Sequence, residues 1–249
     1  MSRFFAEDGK ALVVELDSGL TLGPVGNLLN LNDALKSVFR LGVDAVVINK
    51  GQITRFESLM LGKKGPAMIL RADYTNALRG ADFILPPKSI EHIKIVNCDE
   101  ALALGVDGVV AHLLIGYEEE EANSISIISS LINGCRTCGL MVMVEAIPIG
   151  ERITEANYVD CLKLSVRMAV EAGADIVAIH YPGDESSMRS VVEVAGSVPL
   201  LVLDDIRRPL KELKSAITAG CAGLVLRERL ISGTMEDVIS ESILLVHGD

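Results

Sequence analysis

The sequence predicts an α/β protein, a single (β/α)8 TIM barrel over residues 1–249 with a short N-terminal arm. Three observations carry that expectation. The first is the stretch AGADIVAIHYPGD at residues 172–184. It reads as a helix end, a capping Gly173, an apolar run from Ile176 to Ile179, and then His180 before a Tyr-Pro-Gly-Asp turn. An apolar run without alternation suits a strand buried on both faces, and glycine suits the left-handed helix cap. The second is repetition. LGVDAVVINKG (41–51), LGVDGVVAHLLIG (104–116) and AGCAGLVLRER (219–229) share the pattern, with glycines at 42, 105, 173 and 220. The gaps leave room for one more strand–helix unit each, except the shorter last one. The third is length, since 249 residues match one such barrel.

Taken in order, Met1–Gly9 is the arm and Lys10–Leu16 the first strand, ended by Asp17-Ser18-Gly19. A Gly/Pro/Asn-rich loop to Asn30 is long enough to cover a site. Asn30 or Asn32 caps a helix to Leu41, and strand two, Asp44–Asn49, delivers Lys50-Gly51. A helix over Thr54–Leu61 and the turn Lys63–Pro66 precede strand three, Ala67–Ala72. Asp73–Ser89 reads as a loop, and Ile93–Val96 as a short extra strand or the entry to a helix near Asp99–Leu104. Strand four is Gly108–Leu114.

Glu118–Glu121 open a helix to about Cys138, and acidic residues favour that end through the helix dipole. Strand five is Leu140–Ala146, followed by a helix from Thr154 or Asn157 to Ala172 and by strand six, already described. Asp184 caps a helix to Ala195, strand seven is Pro199–Leu203, and a helix reaches Ala219. Strand eight, Gly223–Leu226, and a last helix close the chain. Eight strands alternating with helices find their natural solution in a closed barrel.

Composition narrows the function. A net charge of −11 argues against a nucleic-acid surface, which needs basic patches. The apolar runs fall short of a membrane span and no N-terminal signal pattern is read, so a soluble cytoplasmic protein is expected. Five cysteines form no regular framework and read as free thiols, with the Cys135–Cys138 spacing incidental.

Ligands bind at the C-terminal ends of barrel strands. Those ends contribute Asp17, Lys50, Arg71, His112, Glu145, His180, Asp204 and Arg227. Each also has a plainer reading: Asp17 bonds its turn, Lys50 is solvated, His112 is a satisfied core histidine, and Asp204 or Asp205 pairs with Arg227. Glu145 follows an apolar run and needs a partner or a raised pKa. Strand ends seven and eight lack the glycines of a phosphate loop, so Arg207, Arg208, Arg227 or Arg229 would hold an anion by charge.

Leu16-Asp17-Ser18-Gly19 with Gly23-Pro24, the Lys50-Gly51 strand end, Val96–Ala101, and Ala174–Asp184 followed by Val194–Pro199 resemble the archaeal-type class I fructose-bisphosphate aldolases. That group takes in the 2-amino-3,7-dideoxy-D-threo-hept-6-ulosonate synthases and is related to the DeoC and LacD aldolases. The resemblance implies a (β/α)8 barrel, a cytoplasmic homo-oligomer, a small phosphorylated substrate and Schiff-base aldol chemistry without a cofactor. It also implies a Schiff-base lysine where this chain has His180, a further lysine at Ala178, and a tyrosine and an arginine at Ile147 and Ile149. The family's phosphate loops correspond to Asp204-Asp205-Ile206 and Arg227-Glu228-Arg229. An imidazole cannot form a ketimine as a primary amine does.

Three readings follow. The leading one is an aldolase-type lyase with Asp17, Lys50, Glu145 and His180 as catalytic residues, in which Lys50 supplies the amine or none is needed. Arg71, His112, Asp204 and Arg227 then bind substrate, a phosphorylated sugar or a small keto compound. The second is a metal- or acid/base-dependent isomerase or lyase using Asp17, His112, Glu145, His180 and Asp204. The third is a non-catalytic relative that binds a metabolite.

Overall fold

The computed structural model describes residues 3–56, 58, 65–232 and 234–248. The chain opens with β1 (Ala11–Glu15), α1 (Gly19–Leu22), α2 (Leu31–Leu41), β2 (Ala45–Ile48) and α3 (Lys50–Arg55). It continues with β3 (Ala67–Arg71), β4 (Asp73–Thr75), β5 (His92–Lys94), α4 (Cys98–Ala103), β6 (Gly108–Ile115) and α5 (Glu118–Cys138). Then come β7 (Met141–Pro148), α6 (Tyr158–Ala172), β8 (Ile176–His180), α7 (Glu185–Ala195) and β9 (Leu200–Leu203). The chain closes with α8 (Lys214–Thr218), β10 (Gly223–Leu226), α9 (Arg229–Ser232) and α10 (Met235–His247).

Eight of these strands form a closed parallel barrel in the order β1-β2-β3-β6-β7-β8-β9-β10, as the sequence predicts. β10 returns to β1 with Ala11 opposite Gly223 and Val14 opposite Leu226. That closure needs a glycine. Gly223 has a φ of +148°, and a Cβ there would stand 1.9 Å from the Ala11 carbonyl oxygen.

The repeated glycine–aspartate pattern has a physical meaning. Gly42, Gly105, Gly173 and Gly220 all have positive φ, which only glycine adopts without strain. Two residues after the first three stands an aspartate. Asp44 accepts the Leu12 N–H (2.7 Å), Asp107 the Met68 N–H (2.9 Å) and Asp175 the Val142 N–H (2.8 Å). Each carboxylate therefore ties the start of its strand to the strand before it.

Every second residue of the strands points into the barrel. The interior is apolar in its lower part, where Ala11, Val13, Val47, Ile69, Val110, Met143, Ala178, Leu201 and Val225 pack together. One layer up, the same phase delivers Glu15, Arg71, His112, Glu145 and Arg227, all buried. Between strands and helices lies the second core, which includes Leu12, Leu35, Ile128, Leu131 and Val177. Burying each such side chain is worth about 2 kcal/mol.

The structure departs from the sequence reading at four places. Residues 73–89 are not all loop: β4 pairs antiparallel with β5, Thr75 opposite His92. Only three residues long, β4 shows too little alternation to read as a strand. The helix expected over 54–61 begins at Lys50, because Asn49 and Gln52 form a capping box there; residues 57 and 59–61 lie outside the described residues. Asn30 occupies the N-cap of α2, but its side chain bonds Asp33 (2.5 Å) rather than the helix backbone. The loop after β1 holds α1 and a 3-10 turn at Gly26–Leu29. Among the described residues no helix is long and apolar enough to cross a membrane.

Candidate active site

At the top of the apolar barrel core, the inward phase turns from valine and isoleucine to charge. Arg71 on β3 is the hub. Its Nε donates to Asp17 Oδ2 (2.5 Å) and its Nη2 to Glu145 Oε1 (2.5 Å). Arg227, just past β10, donates from Nη1 to Glu145 Oε2 (3.0 Å) and lies 3.4 Å from Glu15 Oε2. Glu145 thus holds two guanidinium groups, one on each carboxylate oxygen. Buried ions cost several kcal/mol each unless paired and hydrogen-bonded, and this cluster offsets that cost by mutual contact.

A second chain of contacts enters from the β4–β5 hairpin. Asp73 Oδ2 meets His112 Nδ1 at 2.9 Å, accepts the His112 backbone N–H at 2.8 Å, and meets His92 Nε2 at 2.7 Å. His92 Nδ1 in turn meets the Ser124 hydroxyl at 2.9 Å. On its other side His112 Nε2 stands 3.2 Å from Glu145 Oε2.

Burial alone would neutralise these groups, and their neighbours decide otherwise. For Glu15, burial and the nearby Glu145 charge push the carboxyl well above its usual range, against Arg227 and Arg71. For Glu145, burial is outweighed by Arg71, His112 and Arg227, and the group is held well below the usual range. For His112, burial pulls down but the Asp73 and Glu145 carboxylates raise the imidazole above its ordinary value. Asp73 is lowered, its burial outweighed by His112, His92 and Arg71. Glu15 is thus pushed towards its neutral form, while Asp73 and Glu145 are held as carboxylates beside Arg71, Arg227 and the raised His112.

Above it lies a cavity of about 130 Å³, whose walls include Asp17, Ser18, Arg71, His112, His180 and Arg227. No lysine is among the described residues that line it. His180 has no hydrogen-bond partner among the described residues. Burial and then the Arg227 charge lower its pKa to about 4, so the ring is neutral. Asp17 Oδ1 and the Ser18 hydroxyl are buried at the same wall without a partner among the described residues.

Of the eight side chains expected at the mouth, five (Asp17, Arg71, His112, His180 and Arg227) line this cavity. Glu145 stands behind them as their anchor. Lys50 is elsewhere: its ammonium pairs with Glu100 and its side chain is 52% exposed. The reason is the capping box, which makes Lys50 the first residue of α3 instead of the last of a strand. Asp204 does not line the cavity either. Its carboxylate accepts the backbone N–H groups of Arg227 (2.8 Å), Glu228 (2.9 Å) and Arg229 (2.9 Å).

The five proposed metal ligands do not converge. Asp204 is taken up by those amides and Glu145 by two arginines, and no three such side chains among the described residues are placed to hold one ion. The cysteines are free, with Cys98, Cys135 and Cys221 buried.

Glu15, Asp73 and His92 belong to the cluster although the sequence reading does not single them out. Glu15 had a signal, being the one charged residue inside an apolar strand and in phase with Ala11 and Val13. Asp73 is likewise in phase with Arg71. For His92 no local pattern points inward.

Comparison with known proteins adds the following. A family model described as DeoC/LacD family aldolase matches residues 11–226. An uncharacterised aldolase of Saccharolobus solfataricus is 28% identical over 251 residues, covering 98% of this chain and 91% of the relative. A 2-amino-3,7-dideoxy-D-threo-hept-6-ulosonate synthase of Halobacterium salinarum is 26% identical over 87% of this chain and 78% of its own. The class 1 fructose-bisphosphate aldolase of Thermoproteus tenax is 24% identical over 89% and 83%. The crystal structure of an archaeal fructose 1,6-bisphosphate aldolase superposes with a TM-score of 0.84 at 22% identity, over 99% of this chain and 97% of that one, a likeness of fold.

Proposed function

The chain belongs to the DeoC/LacD aldolase family, and on that premise we propose that it is a carbon–carbon lyase of aldolase type that works without a protein-bound imine. The substrate is a small keto compound with a hydroxyl β to its carbonyl. The observation that carries this reading is His180: a neutral imidazole whose ring has no hydrogen-bond partner among the described residues, facing a cavity that no described lysine lines.

The residues divide the work as follows. The free Oδ1 of Asp17 takes the proton of the β-hydroxyl while Arg71 holds its other oxygen. The bond between the α and β carbons breaks, its electron pair passing to the carbonyl carbon's oxygen as an enolate. An aldehyde leaves from the β side. His180 donates a hydrogen bond to the developing oxyanion, and the cationic Arg71, Arg227 and His112 stabilise it in a water-poor site, where such charges act most strongly. A neutral imidazole with a lowered pKa is suited to polarising a carbonyl. The enolate then takes at its α carbon the proton that Asp17 removed, which returns Asp17 to its carboxylate, and atoms and charge balance without a cofactor. Run in reverse, the same steps join two carbonyl compounds.

Lys50 takes no part here, since it is engaged with Glu100 outside the cavity. The testing experiment is aldehyde release from a panel of β-hydroxy ketones, phosphorylated and not, by enzyme first incubated with the ketone, with or without sodium borohydride, and freed of the reagent before the assay. Turnover by the wild type, unaffected by borohydride and lost in both H180Q and D17N, supports the reading. A borohydride-trapped adduct on any lysine sinks it.

A further inference from the structure

The commonest place for an anion in a barrel of this kind is the pair of loops after the seventh and eighth barrel strands, with the N-terminus of a short following helix. In this chain those are the loops after β9 and β10, and α9 is the short helix. Three consecutive backbone N–H groups there, of Arg227, Glu228 and Arg229, converge on one point, as amides that cradle a phosphate do. That point is taken. The Asp204 carboxylate accepts all three, Oδ1 at 2.8 and 2.9 Å and Oδ2 at 2.9 Å, and the side chain is 1% exposed.

The arginines of the same two loops are also committed to carboxylates. Arg207 donates to both oxygens of Asp205 at 2.8 Å, and Arg208 pairs with Glu212 at 3.7 Å. Arg227 is held by the Glu145 carboxylate at 3.0 Å, and Arg229 Nε lies 4.0 Å from Asp204 Oδ2. Each of these four arginines thus has a carboxylate oxygen within 4.0 Å, although Arg229 Nε makes no hydrogen bond among the described residues. Meanwhile Asp17 Oδ1 and Ser18 Oγ, buried in residues of the cavity wall and without a hydrogen-bond partner among the described residues, suit hydroxyl groups.

We propose that Asp204 is the chain's own anion at the phosphate position of the barrel mouth, and that the substrate is a hydroxycarbonyl compound carrying no phosphate at that end. The substrate class rests on the lyase reading above, whereas the occupied amide cradle does not. A phosphate approaching Arg227–Arg229 meets a buried carboxylate where it needs donors, and the like charges repel.

The test is a titration with inorganic phosphate, followed at the Arg227, Glu228 and Arg229 amide resonances, in wild type and in D204S. In wild type the three resonances stay still, with any affinity weaker than about 10 mM. In D204S, which clears the cradle, they shift and phosphate binding rises by about tenfold or more. Dihydroxyacetone phosphate gains likewise in D204S, while dihydroxyacetone binds both proteins alike.

Saturable shifts of those amides in wild type overturn the proposal. So does a folded D204S that gains no phosphate binding, the result expected of a purely structural aspartate. Should D204S not fold, D204A clears the cradle in the same way and is read in its place, and the wild-type titration decides on its own if neither folds. Because inorganic phosphate is the probe, absence of lyase turnover would count against the proposed reaction and leave this result standing.

Discussion

Arg71 and Glu145 meet inside the barrel with Nη2 2.5 Å from Oε1, although β6 lies between their strands. The contact works only because both side chains belong to the same inward layer, where His112 stands directly opposite Glu145. Glu145 is fully buried and touches Arg227 as well. Its replacement by glutamine leaves two buried guanidinium groups short of a countercharge. Breaking a buried pair in this way costs about 3–5 kcal/mol. Urea unfolding of E145Q is expected to show a loss in that range. A loss below about 1 kcal/mol would mean that water reaches the cluster and screens it.

Lys50 gives the opposite expectation. Its partner Glu100 and its own ammonium are exposed on the outside of the barrel, and an exposed pair contributes little. K50A should keep the melting temperature and the rate of aldehyde release of the wild type. Intact mass after borohydride with dihydroxyacetone phosphate, fructose 1,6-bisphosphate or pyruvate should show no adduct in either protein. An adduct present in the wild type and missing in K50A would restore the lysine to the chemistry.

The contrast between these two residues shows what a sequence discloses. Glu145 was legible because a carboxylate at the inward phase of an apolar strand has nowhere to go but the barrel interior. Position at the C-terminal ends of strands located Arg71, His112 and Arg227, and the repeat of capping glycines and apolar runs located the strands themselves. Lys50 misled because a strand end and a helix start differ by one capping box, and Asn49 with Gln52 is a weak local signal. The Asp73–His92 contact joins residues 19 apart through a hairpin of three-residue strands, and periodicity cannot register so short an element. Asp204 was seen as a ring member, but its target is backbone, and backbone amides look alike in every sequence.

Asp73 sets the charge of His112. Their 2.9 Å contact raises the imidazole despite burial, and the same contact lowers the aspartate. For His112 the stability gained is fully present below a pH of about 6.5 and is lost as pH climbs through the raised folded value. For Asp73 it is present above about pH 3.9 and lost as pH falls through the lowered one. The ring nitrogens of His112, followed by ¹⁵N NMR, should therefore titrate in the wild type at a higher pH than an ordinary histidine. In D73N the titration should move to lower pH, because burial and the Arg71 charge are then opposed by Glu145 alone. A neutral His112 in the wild type would remove one cation from the proposed oxyanion environment.

His180 runs the other way. Burial and the Arg227 charge lower its pKa to about 4, whereas an unfolded histidine titrates near pH 6.5. Between those values the unfolded chain binds a proton that the folded chain does not, so stability must rise with pH across that window. The contribution is complete above about pH 6.5, is lost as pH falls towards 4, and amounts to at most about 3 kcal/mol. Unfolding free energies of wild type and H180Q, measured from pH 4 to 7, should diverge by that slope, with H180Q the flatter curve. Parallel curves would mean that His180 titrates normally and can be protonated near neutral pH. It would then enter the reaction as an imidazolium, and the neutral hydrogen-bond donor assigned to it here would have to be replaced by an acid.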